Sequence, residues 1–200
     1  MAYVTLSELK SYLEISDDHH NDHLTRILEA AATDIDSWCG RTFTVTASAT
    51  RTVRVQNRYR VTIPDATDIT TVRTDDNDDG TFETTWSASD YVLEPVDNIN
   101  ADGVTGWPYT SICAVESRTF PTTGRRPHAL QLVGSFGWAA VPEEVEQVNL
   151  LSAMDRFRQK DAPFGVAGFG EFGPVRIREN RQYQSWLTKY RTAERVALVA

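Results

Sequence analysis

The spacing of apolar residues changes twice along this chain, and the two changes limit what it can fold into. Residues 6–38 follow the 3.6-residue period of helices, residues 44–138 change to the two-residue period of strands, and helical spacing returns after residue 141. Strands that alternate polar and apolar residues bury one face of an antiparallel sheet. The pattern therefore predicts an α+β fold in which an antiparallel β module is inserted into a helical bundle.

Three segments are expected: a helical hairpin over residues 1–43, the β module over 44–138, and C-terminal helices with a glycine-rich loop and a docking tail over 139–200. In the first segment, Thr5 and Glu8 have the spacing of a capping box. A second helix is expected from about Asn21 to Trp38.

Short strands are predicted in the middle segment, between stretches rich in turn residues. Pro64 and Asp65 are expected to end one of them. The predicted strands lie near residues 53–55, 59–63, 69–73, 81–86, 91–93, 112–116 and 129–136.

Two helices are predicted after the β module. Pro142 and the acids that follow it suit a helix start. The last helix begins near Asn180, and its apolar stripe consists of Tyr183, Trp186, Leu187 and Tyr190.

The charge of the chain argues against a protein that holds DNA. It has 28 acidic and 20 basic side chains, a formal net charge of −8, whereas phosphate neutralisation requires clustered Lys and Arg. No apolar run is long enough for a transmembrane helix, and the first residues do not resemble a signal peptide. Cys39 and Cys113 are too few for a disulfide scaffold, so a reducing compartment is expected.

Two motifs resemble binding loops. Residues 168–173 read Gly-Phe-Gly-Glu-Phe-Gly, but this dinucleotide fingerprint follows a predicted helix rather than a strand, which favours a flexible loop. The stretch Asp75–Gly80 begins like a calcium loop, yet Trp86 occupies the position of the expected bidentate Glu. A β-hairpin turn is the simpler interpretation, and a calcium- or metal-binding module stays open as an alternative.

Catalytic or metal chemistry has little support in the sequence. His19, His20 and His23 lie with three aspartates in a turn between helices, where capping and solubility are the expected roles. Cys39 follows an apolar stripe and is expected to be a core thiol. With no paired-carboxylate, serine-elbow or phosphate-loop arrangement, we expect no enzyme, catalytic residue, cofactor or metal site.

The C-terminal arginines allow two interpretations. A DNA-binding accessory module is one alternative, because Arg176, Arg178 and Arg181 precede further basic residues near the end of the chain. An amphipathic helix that docks on a protein, with arginines at its rim, fits equally well.

The order of these features resembles the head-tail connector (adaptor) proteins of long-tailed double-stranded DNA phages. The resemblance is carried by the helical pair TLSELKSYLEI and LTRILEAAATDIDSWCGRTF, by SASDYVLEP in the β module, and by FGWAAVPEEVEQVNLLSAMDRFRQKDAPFGVAGFGEFG. The family also includes all-helical members, so the β insert marks a subgroup.

The resemblance implies a structural virion protein that acts at the head-tail junction during assembly, genome packaging and genome ejection, and that resides in the host cytoplasm before assembly. It implies a ring of about twelve copies below the portal protein that extends the DNA channel toward a stopper or tail-completion protein. Family members dock on the portal through C-terminal segments, here Ser185–Ala200. The expected residues for contact with the portal or a neighbouring copy are Phe164, Phe169, Phe172, Tyr183, Trp186, Leu187, Tyr190, Arg191 and Arg195.

Overall fold

The computed structural model describes residues 2–122, 128–159 and 180–192. The chain divides into two compact units, a helical unit (Met1–Phe43 with Val141–Ala200) and a β unit (Thr44–Ala140). The described residues form four α-helices and a six-stranded antiparallel sheet, so the predicted α+β class is confirmed. The proposed division into three segments stays a prediction.

The helices begin and end at residues whose chemistry suits helix termini. The predicted capping box is present, because the Glu8 amide donates to the Thr5 hydroxyl at 3.2 Å and the Thr5 amide donates to the Glu8 carboxylate at 2.8 Å. Gly40 ends the second helix with a left-handed φ of 72°, which costs glycine little. The helices are α1 (Leu6–Tyr12), α2 (Asn21–Cys39), α3 (Glu143–Gln159) and α4 (Arg181–Leu187), with a 3₁₀ turn over Thr188–Tyr190.

The core of the helical unit is built from the apolar faces of α1, α2 and α3. Small residues lie at its centre: Ala31 of α2 and Ala153 of α3 are fully buried, which lets helices approach closely. The cluster consists of Leu9, Leu24, Ile27, Leu28, Ala31, Ala153 and Met154.

A single polar side chain connects three parts of this unit. Asn149 of α3 is fully buried. Its Oδ1 accepts from the backbone amides of Tyr3 and Val4 at 3.1 and 3.2 Å, and its Nδ2 donates to the Leu28 carbonyl at 3.1 Å. The amide group therefore joins the N-terminal segment, α2 and α3. It gives the amides of Tyr3 and Val4 an acceptor, whereas the Leu28 carbonyl lies inside α2 and also accepts within the helix.

Tyr3 extends the same connection. Its hydroxyl donates to the Asp36 carboxylate and accepts from the Phe43 amide at 3.1 Å. Its ring meets Phe43 edge-on, with centroids 5.8 Å apart. Burial, with help from Asp36, raises the pKa of the Tyr3 hydroxyl well above its ordinary value, so the hydroxyl keeps its proton and remains a donor.

The β unit is one antiparallel sheet with the strand order β1-β6-β2-β5-β4, and β3 pairs with β2. Trp86 of β3 stacks on Phe120 at 4.6 Å and its indole N–H donates to the Thr74 hydroxyl at 3.0 Å. The strands are β1 (Thr46–Val53), β2 (Arg60–Thr74), β3 (Thr84–Trp86), β4 (Tyr91–Glu94), β5 (Tyr109–Ala114) and β6 (Leu130–Phe136).

The predicted strand end at Pro64 and Asp65 is wrong, because β2 runs through both residues. β2 pairs with β5 up to Thr62 and again only at Ala66, where the register has shifted. Pairing of β2 with β6 also begins at Ala66. The missing amide hydrogen of Pro64 thus falls in a gap of the ladder, which is where proline is tolerated within a sheet.

Gly134 marks a close approach of two strands. A Cβ atom at this position would lie 2.1 Å from the Asp68 carbonyl oxygen and 2.9 Å from the Ile69 Cα atom. The register between β2 and β6 shifts next to this point. Glycine is therefore needed in β6 because the neighbouring backbone occupies the space of a side chain.

We predict that Asn149→Leu destabilises the helical unit by about 2–4 kcal/mol, because the amides of Tyr3 and Val4 lose their acceptor and the bond to the Leu28 carbonyl is lost as well. Urea unfolding followed by far-UV circular dichroism measures the change. Gln147→Ala, at an exposed position of the same helix, is the control and should change stability by less than about 0.5 kcal/mol. Equal stability of the two variants would show that the Asn149 bonds contribute nothing.

We predict that Gly134→Ala costs about 3 kcal/mol or more, the upper part of the range for overpacking, because the clash is with backbone rather than with a movable side chain. Gly103→Ala is the matched control: Gly103 has a φ of +78° but open space around it, so only backbone strain of about 1 kcal/mol is expected. Thermal unfolding of both variants tests this. A smaller loss at Gly134 than at Gly103 would contradict the close approach.

Candidate interaction surfaces

The C-terminal helix α4 is held on the helical unit by its apolar stripe. Asn180 caps it, since its side-chain oxygen accepts from the amides of Gln182 and Tyr183. Tyr183, Leu187 and Tyr190 are only 5%, 0% and 1% exposed, respectively. The stripe predicted from the sequence thus faces the chain's own core, and among its members Trp186 alone is half-buried.

Two carboxylates of α3 receive the tyrosine hydroxyls. Tyr183 donates to Asp155 and Tyr190 donates to Glu144, each at 2.7 Å. Burial is the largest cause that raises the pKa of both tyrosines, and the carboxylate bonds add to it. Lys189 contacts the other oxygen of Glu144 at 2.6 Å, and this bond lowers the pKa of Glu144. The carboxylate therefore stays ionised and accepts from two C-terminal residues.

Residues just after α4 contact the end of α2. The Arg191 guanidinium lies over the Trp38 ring, 4.7 Å from its centroid. The Thr192 amide donates to the Cys39 carbonyl at 2.9 Å. Cys39 itself is fully buried, and burial raises the pKa of its thiol to about 12. A thiol that stays protonated is a poor nucleophile, and this placement agrees with a core thiol.

The predicted partner-binding residues fall into two groups. Tyr183, Trp186, Leu187, Tyr190 and Arg191 lie together on the helical unit, as described above. The others lie outside the described residues, namely Phe164, Phe169, Phe172 and Arg195, as does the glycine-rich fingerprint of residues 168–173. Contact of either group with a portal or a neighbouring copy stays a prediction.

The basic residues of the C-terminal segment are used differently within the described part of the chain. Arg181 is exposed, whereas Lys189 is paired with Glu144 and Arg191 lies on Trp38. Arg176 and Arg178 lie outside the described residues. Within α4, Arg181 is the one basic residue. The helix therefore does not present the row of unpaired positive charges that binding to DNA would use.

The Asp-rich stretch forms the turn between β2 and β3. Asp75 is buried, and its carboxylate accepts from the amides of Asp79 and Gly80 at 3.3 and 2.8 Å. Asp75, Asp79 and Glu83 each bring one oxygen within 4.8 Å of the other two. Trp86, at the twelfth position of the calcium pattern, is a buried core residue. Backbone capping by Asp75 thus accounts for the turn.

The histidine cluster is part of the packing between helices. His20 and His23 both approach the Phe157 ring, at 5.7 and 6.2 Å between centroids. Among the described residues, only the Asp75 set brings three metal-ligating side chains together, so the three histidines do not converge on one point. No helix in the described ranges combines the length and the apolar character that crossing a membrane requires.

Glu144 and Asp155 are the residues that sequence reasoning missed at this surface. Glu144 was expected only as an acid that suits the first turn of α3. Its bonds to Lys189 and Tyr190 join residues 45 and 46 positions apart, and no local pattern signals such a contact. The one usable signal was the presence of Tyr183 and Tyr190 in one apolar stripe, since buried hydroxyls need acceptors.

We predict that Tyr190→Phe loses about 1–2 kcal/mol, because a hydrogen bond to a charged group is removed while the ring remains. Tyr190→Ala should lose about 3–5 kcal/mol, because the ring that packs edge-on against Phe43 is removed as well. Urea unfolding measures both. Tyr59→Phe, at an exposed tyrosine, serves as the control. Wild-type stability of Tyr190→Ala would mean that α4 is not anchored through this residue.

Comparison with known proteins gives matches of sequence and of fold. Two solved structures match with 17% identity, each covering 96% of this chain and 90% of the other: the neck of the empty GTA particle computed with C6 symmetry, at a TM-score of 0.54, and the neck of the native GTA particle computed with C12 symmetry, at 0.53. The virion of the native gene transfer agent (GTA) particle matches at 16% identity and a TM-score of 0.51. These structures share the fold of the chain.

No curated protein matches the sequence significantly. The family model described as phage gp6-like head-tail connector protein does match, over residues 3–78. That range runs from the N-terminal segment through both helices of the first stretch to the turn after β2. The resemblance to head-tail connector proteins that the sequence predicted is therefore confirmed over residues 3–78.

Proposed function

We propose that this chain is a structural subunit of a virion neck, a head-tail connector that joins a phage-like head to its tail. The observation that carries the proposal is the agreement of two independent comparisons. The connector family matches the sequence of residues 3–78, and the neck structures of GTA particles share the fold over 96% of the chain. A catalytic role is not part of the proposal, because the described residues offer buried, protonated tyrosines and a buried thiol rather than an activated group.

We propose further that copies of the chain form a ring around the path of DNA, with twelve copies as the expected number. The symmetries of the related neck structures, C6 and C12, support a ring. The net charge of −8 is consistent with a channel wall that does not hold DNA electrostatically as it passes. In this ring the helices α1–α4 would act as a small helical bundle. The core that α1, α2 and α3 share supports this proposal, as does the bond from Tyr183 of α4 to Asp155 of α3.

The C-terminal segment is the proposed contact to a portal protein. The burial of the described residues of Ser185–Ala200 narrows this proposal. Leu187 and Tyr190 are buried in the helical unit, so they fix the position of the segment rather than offer a free surface. The half-buried Trp186 and residues 193–200 are the parts proposed to reach a partner. Contact of the phenylalanines in the glycine-rich stretch 163–174 with a partner is also proposed, although this stretch lies outside the described residues. Binding of a tail-side protein is proposed as well.

Removal of residues 193–200 tests the portal contact without removing the buried residues of α4. We predict that the shortened chain keeps its far-UV circular dichroism and unfolding midpoint, because the last described contact, from the Thr192 amide to Cys39, is retained. Negative-stain images of purified portal rings should show decoration by the full chain and a loss of about tenfold or more for the shortened one.

A chain in which the same eight residues are permuted is the matched control, since it keeps length, charge and composition. Decoration by the shortened chain at the wild-type level would contradict the C-terminal contact alone. Failure of the full chain to bind portals, together with its absence from purified particles, would contradict the connector function itself.

A further inference from the structure

Charged residues are strongly segregated along the β unit. Residues 44–64 contain four arginines and no acidic residue, whereas residues 65–117 contain twelve acidic residues and Arg73 as their one basic residue. The four arginines are Arg51, Arg54, Arg58 and Arg60. Such a separation is informative only if the fold also separates the two signs in space.

The sheet places parts of the two stretches at opposite ends. β1 is the first strand in the order and pairs with β6, while β4 is the last and pairs with β5. Within the described residues, neither strand has a neighbour on its outer side. The unit therefore presents two open ends that differ in charge.

The β1 end is basic. Arg51 in β1 and Arg54 just after it are exposed, and neither β1 nor the adjacent β6 contains an acidic residue. Arg51 also lies over the Phe136 ring, 5.7 Å from its centroid. Val45, directly before the strand, is an exposed apolar residue. This end thus combines an apolar side chain with two arginines that form no ion pair within residues 2–122, 128–159 and 180–192.

The β4 end is acidic. Glu94 and Asp90 are paired with Arg60 and Arg118 at 2.9 and 3.3 Å. Asp97 and Asp102 lie in the connection that runs from β4 to β5, which packs through Trp107 on Trp138, with 4.8 Å between ring centroids. Both aspartates are exposed and have no ion-pair partner in the part of the chain that the structure describes. Three exposed apolar residues accompany them: Val92, Val96 and Ile99, at 41%, 59% and 43% exposure. Exposed apolar groups beside unpaired charges are typical of surfaces that meet a partner.

We propose that these two ends bind each other between neighbouring copies, so that Arg51 and Arg54 of one copy face Asp97 and Asp102 of the next. This inference rests on the proposed ring. Charge complementarity selects the arrangement, because a two-fold contact of either end with itself would place like charges together. A contact between two different patches is heterologous, and such contacts close into rings when the rotation permits.

Side chains rather than a continuous β ladder would form this contact. The pairing of β1 is irregular between Thr46 and Ala49, and irregular edges resist strand addition. β4 has only four residues and is followed by Pro95, which has no amide hydrogen to donate. A contact made mainly of exposed charges weakens with salt, so assembly should be sensitive to ionic strength.

Charge reversal tests the contact in the full chain. Arg51→Glu with Arg54→Glu should lower ring formation on portals or in particles by about tenfold or more, because like charges then face each other. Asp97→Asn with Asp102→Lys should do the same. Asn is chosen at position 97 because its φ is 59°, a left-handed conformation that Asn tolerates. All four substitutions in one chain should restore ring formation to within about twofold of wild type, because each interface again joins opposite charges.

Arg26→Glu with Arg73→Glu is the matched control, since both arginines are exposed and lie outside the two ends. Circular dichroism of each variant shows that it is folded. Normal rings from both reversed variants, or no restoration by the fourfold variant, would overturn the inference and leave the connector function standing. If wild type forms no rings and is absent from particles, the connector function fails instead. If Arg51→Glu with Arg54→Glu forms normal rings but loses salt-dependent binding to a short DNA duplex, the β1 end contacts nucleic acid and the inference is wrong.

Discussion

The buried amide of Asn149 is the contact on which the helical unit depends. This unit is assembled from two stretches of chain that are separated by the whole β unit. Asn149 bonds to Tyr3, 146 positions away in sequence, and to Leu28 on α2. Apolar packing alone is not directional, whereas three hydrogen bonds in a buried place specify one arrangement. The asparagine therefore fixes how the distant stretches meet.

Hydrogen bonds between residues far apart in sequence also fix the position of the C-terminal helix. Tyr183, Leu187 and Tyr190 of its apolar stripe are buried. The two tyrosine hydroxyls donate to Asp155 and Glu144 of α3. Because burial and the carboxylate partners raise the pKa of both tyrosines, these donors are not lost near neutral pH. The proposed docking segment would thus begin from a fixed point at Thr192. A fixed origin lowers the entropy that a tail loses when it binds a partner.

The sequence predicted those features that local chemistry decides. The capping box of Thr5 and Glu8, the start of α2 near Asn21 and the start of the last helix near Asn180 depend on residues a few positions apart, and all are present. The continuity of β2 through Pro64 was missed, because it depends on a register shift against β5 that only pairing reveals.

Contacts between residues far apart in sequence could not be predicted either. This affected the prediction of the interaction surface more than the prediction of the fold. An apolar stripe such as Tyr183, Leu187 and Tyr190 predicts that one face is covered, but not by what. In the structure the same chain covers it. The roles of Asn149 and Glu144 could not be predicted, because their partners Tyr3 and Tyr190 are 146 and 46 positions away in sequence. The separation of basic and acidic residues in the β unit can be seen in the sequence. Only the strand order shows where these residues lie in the sheet.

The connector account is tested most directly by imaging the neck of purified particles that contain this chain. A cryo-EM reconstruction at side-chain resolution shows whether the α+β fold is present there and how many copies surround the axis. The account predicts density for both units, repeated with sixfold or twelvefold symmetry between head and tail. Intact, tailed particles whose neck contains no density for this fold would contradict it.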